Sequence, residues 1–137
     1  MLRCVIDTSV FIGACPGTGA SAGVIAACLH GRVLPLMGTA LLAEYEDVLG
    51  REALFDGCRL SDGERSELLD IFLARCEWTH VYFGWRPNLP DEADNHLIEL
   101  AVAGRASHVV SRNLRDLARA ELTFPGLHCV SPERFLH

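Results

Sequence analysis

The 137-residue chain contains no lysine, so all twelve of its basic side chains are arginine. No apolar run approaches the ~18 residues that suggest a membrane span. No basic segment leading into a long apolar stretch opens the chain, so no secretory signal is expected. None of the six cysteines stands in a CxxC pair, which argues against a structural zinc site. Cys4, Cys28, Cys76 and Cys129 lie in or beside apolar segments, the usage of buried reduced thiols rather than of a disulfide framework. Internal repeats, low-complexity tracts and linkers are also missing. These absences predict one cytoplasmic domain spanning residues 1–137, long enough to bury a core without covalent staples. The net charge of −6 gives no general attraction to nucleic acid, unless the acids are gathered at a metal site.

What is present alternates along the chain. Leu2–Ile6 reads as a buried strand, and Gly17, Thr18 and Gly19 then break the chain. Ala20 to His30 reads as an alanine-rich helix stopped by Gly31. Val33–Met37 is a short strand whose Pro35 predicts an edge or irregular position. Thr39 opens a helix to Leu49, and Ser61 with Glu64 forms a capping box for a helix ending near Arg75. His80–Phe83 is a candidate strand, and Asp91 caps a helix to Ala103. A strand at His108–Ser111, a short helix at Leu114–Ala120, a strand at Leu127–Val130 and a turn of helix at Pro132–Leu136 complete the reading. Such alternation implies a three-layer α/β/α sandwich around a parallel sheet of about four to five strands. Ligands of such sheets bind beyond the carboxyl ends of the strands, where the strand order reverses.

Four acids fall where that edge would be. Asp7 closes the apolar first strand, where it serves either as a cap or as a ligand. Glu44 lies on the helix face marked by Leu41, Tyr45 and Val48, where an unpaired carboxylate is costly unless it reaches the rim. Asp94 heads the apolar face formed by Leu97, Ile98 and Ala101, and with Asp91 it puts two acids at one helix start. Asp116 follows the strand ending at Val110, after Ser111 and Asn113, and read alone it would be solvated. Four carboxylates at one sheet edge repel one another unless a cation neutralises them. Oxygen ligands without Cys or His select Mg²⁺ or Mn²⁺, ions suited to phosphodiester hydrolysis.

These segments resemble the PIN (PilT N-terminus) domain family, metal-dependent nucleases typical of the toxins of bacterial toxin–antitoxin pairs, the VapC-like proteins. CVIDTSVFIGA resembles the family's first strand with its acid, Asp7; TALLAEYEDVLGRE resembles the helix bearing the second, Glu44. LPDEADNHLIELAVAGRASHVVSRNLRDL resembles the acid-bearing helix, the next strand and a Ser-x-Asn-x-x-Asp turn, which gives Asp94 and Asp116, with Asp91 nearby. HCVSPERFLH resembles the closing strand and its Pro-initiated turn of helix. Asn113 stands where some branches carry Asp, and Ser111 where Thr is commoner.

The resemblance implies a Mg²⁺- or Mn²⁺-dependent endoribonuclease acting on single-stranded RNA or a structured RNA loop, without a covalent enzyme intermediate. It further implies a homodimer inhibited by a cognate antitoxin protein, with no membrane role. Asp7, Glu44, Asp94 and Asp116 would hold the metal, and Ser9, Ser111 and Asn113 would position a phosphate or water. Setting those four acids aside leaves about −2 on the rest of the molecule, which removes the charge objection to RNA. Arg112, Arg115 and Arg119 form a basic cluster able to contact phosphates, or else a solvated face. Trp78, Tyr82 and Trp85 are candidates for base stacking, or for core and dimer packing. Two other readings stay open: a PIN-like RNA- or protein-binding module that does not cut, and a phosphatase with Asp7 as nucleophile. The phosphatase would usually need a second acid two residues on, where this chain has Ser9.

Overall fold

The computed structural model describes residues 1–81, 95–117 and 124–137. Five strands, β1 (Leu2–Ile6), β2 (Val33–Met37), β3 (Glu77–Trp78), β4 (His108–Val110) and β5 (His128–Val130), form one sheet in the order β3-β2-β1-β4-β5. Every pairing in it is parallel. β1 is central, and its Cys4, Val5 and Ile6 are buried, as an unbroken apolar strand covered on both faces should be. From β1 the chain first builds outward to β2 and β3, then returns to the other side of β1 as β4 and β5. The strand order therefore reverses between β1 and β4.

The described helices are α1 (Thr8–Ala14), α2 (Gly19–Leu29), α3 (Thr39–Leu49), α4 (Asp62–Arg75), α5 (Asn95–Ala103) and α6 (Pro132–Phe135), with 3-10 turns at Glu52–Phe55 and Arg115–Leu117. α5 packs on β1, β2 and β4, whereas α2 and α4 pack on β2 and α6 on α2. Right-handed crossovers running in opposite directions put α5 on the face opposite α2 and α4, which makes the three-layer sandwich expected from the sequence. No single helix among the described residues is long and apolar enough to cross a membrane.

The core is centred on aromatic packing. Phe11 of α1 meets the Tyr45 ring edge-on at 5.6 Å, and Phe72 of α4 lies 6.2 Å from Phe11 and 5.8 Å from Tyr45. This triangle joins α1, α3 and α4 beneath the carboxyl end of β1. The Ser61 hydroxyl accepts the Glu64 amide at 3.2 Å while Glu64 accepts the Ser61 amide at 2.9 Å, so the capping box forms as read. Gly31, at φ 74°, ends α2 in the left-handed conformation that glycine adopts without strain. All six cysteines are free thiols; Cys4, Cys15, Cys28 and Cys129 are buried and the other two half-buried.

Several expectations need correction. α1 forms where no helix was read between the first strand and the break at Gly17. Its β-branched, glycine-containing sequence has poor helix propensity, and burial of Thr8, Val10, Phe11 and Ala14 supplies the stability instead. β2 is an interior strand and not an edge. Pro35 is tolerated because β3 pairs only with Leu36 and Met37, so no neighbour on that side needs the missing N–H. β3 lies at Glu77–Trp78 rather than at His80–Phe83, held by the Thr79 amide on the Met37 carbonyl at 2.8 Å and by the Arg3–Glu77 ion pair. His80 and Val81 are not strand, and Tyr82 and Phe83 lie outside the described residues. The short helix read at Leu114–Ala120 is a 3-10 turn over Arg115–Leu117, with residues 118–120 outside the described set.

Candidate active site

The parallel ladder runs on past the ends of the strands. The Asp7 amide donates to the Val110 carbonyl at 3.0 Å, and the Ser111 amide donates to Val130 at 3.0 Å. Asp7 and Ser111 are therefore the last rungs of β1 and β4, fixed side by side at the point where strand order reverses. Asp7 also stands at the N-cap position of α1, but its side chain makes no capping bond. It is 8 % exposed, and its Oδ2 accepts the hydroxyls of Ser9 and Ser111, each at 2.8 Å.

The donors are themselves held. Ser9 Oγ accepts the Arg112 amide at 3.0 Å, and Ser111 Oγ accepts the Asn113 amide at 2.9 Å. A hydroxyl that accepts a backbone N–H keeps its own hydrogen free, and both hydrogens go to the same carboxylate oxygen. Ser9 and Ser111, expected to position a phosphate or water, are thus committed to Asp7. Asn113 is exposed and contributes its backbone amide to the cage.

Glu44 projects from α3 beside this cage and is half-buried, so it sits at the rim of its helix face. Thr8, the residue after Asp7, donates its hydroxyl to Glu44 Oε1 at 3.0 Å. His96 Nε2, from the first turn of α5, reaches Oε2 at 2.6 Å. The His96 hydrogen bond is the main reason that the Glu44 carboxyl is held below its ordinary range, against the opposing effect of burial. Tyr45, the next residue, donates its hydroxyl to the Ile6 carbonyl at 2.7 Å and ties α3 to the end of β1. Its phenol is pushed well up by burial and then by the charge of Asp7, so it remains a neutral donor.

The predicted arginines separate. Arg112 folds back onto the protein, with Nε donating to Ser21 Oγ at 2.7 Å and Nη1 and Nη2 forming a fork on Glu133 at 3.1 Å each. Gly13 makes room for it, because a Cβ there would stand 2.6 Å from Ser21 Oγ and 3.1 Å from Arg112 Nε. Arg115 is exposed on the 3-10 turn, while Arg119 lies outside the described residues. Trp78 is exposed on β3, and Tyr82 and Trp85 lie outside the described residues. Asp91 and Asp94 lie outside them as well, and of Asp116 only the backbone, within the 3-10 turn, is described. Among the described residues no three His, Cys, Asp or Glu side chains converge on one point.

Asp7 and Glu44 nevertheless fit a hard divalent cation. A carboxylate offers about four lone pairs, and the bonds described here leave each acid some to spare. Mg²⁺ is commonly bound through one or two carboxylates, with water and substrate phosphate completing its shell.

A family model described as PIN domain matches residues 3–115. The chain belongs to the PIN domain family. Among solved structures, VapBC2 from Rickettsia felis, bound to a DNA fragment from its promoter, superposes with a TM-score of 0.61 at 15 % identity, covering 95 % of this chain and 98 % of that one. PAE2754 from Pyrobaculum aerophilum superposes with a TM-score of 0.58 at 15 % identity, covering 98 % of this chain and 87 % of that one. At such identity these likenesses show the fold. No curated protein matches the chain by sequence.

The sequence reading of this PIN domain missed His96 and Thr8. A signal for a partner existed, since a carboxylate on the Glu44 face is costly unless it is paired. Nothing local showed that the partner would come from a helix fifty residues on.

Proposed function

We propose that this PIN domain is a Mg²⁺- or Mn²⁺-dependent endoribonuclease of single-stranded RNA and the toxin of a toxin–antitoxin pair. The observation that carries the reading is the Asp7 cage. A buried carboxylate at the reversal of strand order, locked through one oxygen by two hydroxyls, is a preorganised ligand rather than a cap. Glu44 is tied to the residue after Asp7 by the Thr8 hydroxyl. Asp94, two residues before His96 in sequence, and Asp116 in the turn after β4 complete the proposed metal-binding acids, with Asp91 as a further candidate. When bound, a cation there would supply charge neutralisation at the phosphodiester and would lower the pKa of a water. The chain's own residues do the rest. Ser9 and Ser111 hold Asp7 in one rotamer, Thr8 and His96 do the same for Glu44, and Arg115 and Arg119 offer charge-assisted bonds to flanking phosphates.

A cognate antitoxin and a homodimer belong to the same proposal. Its support is the fold shared with the Rickettsia felis VapBC2 structure. The test is cleavage of single-stranded RNA in Mn²⁺, in EDTA, and by Asp94→Asn. Cleavage only by the unaltered protein with metal is expected. Cleavage that survives EDTA or Asp94→Asn overturns the metal-nuclease reading, and RNA binding without cleavage turns it into a binding module.

A further inference from the structure

We propose that His96 is a positioning residue, which holds Glu44 so that its carboxylate is presented as a fixed ligand to the cation at the Asp7 edge; this rests on the metal-site reading above.

The bond is short and its direction is set by chemistry. An ionised carboxylate cannot donate, so the hydrogen between Nε2 and Oε2, 2.6 Å apart, belongs to His96. The other ring nitrogen, Nδ1, is buried with no hydrogen-bond partner among the described residues. The polar contact that orients the ring is therefore the one to Glu44. A bare nitrogen in the interior is a cost that an apolar side chain of similar size would avoid, so packing alone does not account for histidine here.

The elements involved make the contact more than local. Glu44 belongs to α3, Thr8 to α1 and His96 to α5. Thr8 fixes Oε1 from the same chain segment as Asp7, and His96 fixes Oε2 from α5. Held at both oxygens, the carboxylate has one orientation relative to Asp7. Without His96, Thr8 is the one hydrogen-bond donor left to it among the described residues, and the carboxylate can turn about its last torsion. Partners that orient a metal ligand in this way typically change affinity on the order of 10- to 100-fold when removed.

The experiment is titration of the metal-free protein with Mn²⁺ alone, followed by calorimetry and by loss of the free-ion electron paramagnetic resonance signal. The variants are His96→Leu, His96→Gln and His96→Asn. Gln can place its amide nitrogen where Nε2 stands, whereas Asn is too short. The expected result is Mn²⁺ affinity near wild type for His96→Gln and weakened at least 10-fold for His96→Leu and His96→Asn. The metal-free melting temperature of His96→Leu is expected to fall, because Glu44 loses the hydrogen bond that does most to favour its charged form, and His96→Gln is expected to recover it. If His96→Leu does not fold, the Gln and Asn pair decides. In a Glu44→Gln background, His96→Leu should have no further effect on affinity. Wild-type Mn²⁺ binding with equal affinity in His96→Leu and His96→Asn, or an additive effect in that background, overturns the role of His96 and leaves the metal site standing. No Mn²⁺ binding by the wild type overturns the metal site and this role with it.

Discussion

The two edges of the sheet are built from the same strands and differ in kind. At the carboxyl edge, carboxylates are enclosed by donors: two hydroxyls on Asp7, a hydroxyl and an imidazole on Glu44. At the amino edge, β4 and β5 begin with His108 and His128 in register, their rings 5.3 Å apart and His108 also against Phe135 at 5.4 Å. There the polar groups are packed against one another, and Ser107 meets His108 Nδ1 at 2.7 Å. The carboxyl edge holds negative charge by satisfying it; the amino edge disfavours positive charge by crowding it. If this contrast is right, substitutions at the first edge change metal binding and activity more than folding, and those at the second do the reverse.

The largest expected effect is at Asp7. Asp7→Asn keeps the shape and can still accept both serine hydroxyls, but it removes the charge that a cation requires. RNA cleavage in Mn²⁺ should fall at least ~100-fold, in line with the loss of a single well-placed electrostatic group. Thermal unfolding without metal should change by no more than about 1 kcal/mol. Retained cleavage would show that the cage is structural.

Metal itself gives the next effect. Mn²⁺ binding only to the folded state should stabilise it by about 2.7 kcal/mol at 100 times the dissociation constant. Differential scanning calorimetry should show this shift in the wild type and lose most of it in Asp7→Asn. An equal shift in both proteins would place the cation elsewhere.

How much of this was legible in the sequence differs between the edges for the same physical reason. β1, β2 and α3 have the bounds read from the sequence, because burial, Pro and Gly act locally there. Asp7 could be singled out because a carboxylate at the end of an apolar strand is locally anomalous. The cage around it could not, since Ser111 is 104 positions away. α1 was illegible because its propensity is poor and its stability comes from Phe11 against Tyr45 and Phe72. Arg112 read as part of a basic cluster, either contacting phosphates or forming a solvated face, because Arg115 and Arg119 follow it in sequence. Its partners, Ser21 and Glu133, come from α2 and α6.

That arginine supplies a third prediction. A Cβ on Gly13 would clash with Ser21 Oγ and crowd Arg112 Nε. Gly13→Ala should force the guanidinium off Ser21 and cost about 1–3 kcal/mol as overpacking, despite the better helix propensity of Ala. The Arg112 amide that braces Ser9 would then be less firmly placed, so Mn²⁺ affinity should fall modestly along with stability. Stabilisation in urea unfolding would mean that the Arg112 fork is not a strut.

The smallest effect separates the edges by pH. The His108 imidazole is held below its ordinary value of 6.5, first by burial and then by His128. The unfolded chain therefore takes up this proton more readily than the folded one, and stability falls as pH drops from 6.5 through the lower folded value. Glu44 is also depressed, so its contribution is complete above its ordinary value of 4.5 and is lost only as pH falls below that, through its folded value. The two losses occupy different windows. His108→Gln should flatten the urea stability profile in the window starting at 6.5 and leave the more acidic limb, whereas Glu44→Gln should flatten the acidic limb alone. If His108→Gln leaves the upper window unchanged, the crowding of imidazoles at the amino edge does not limit stability, and the contrast between the edges reduces to the carboxylates.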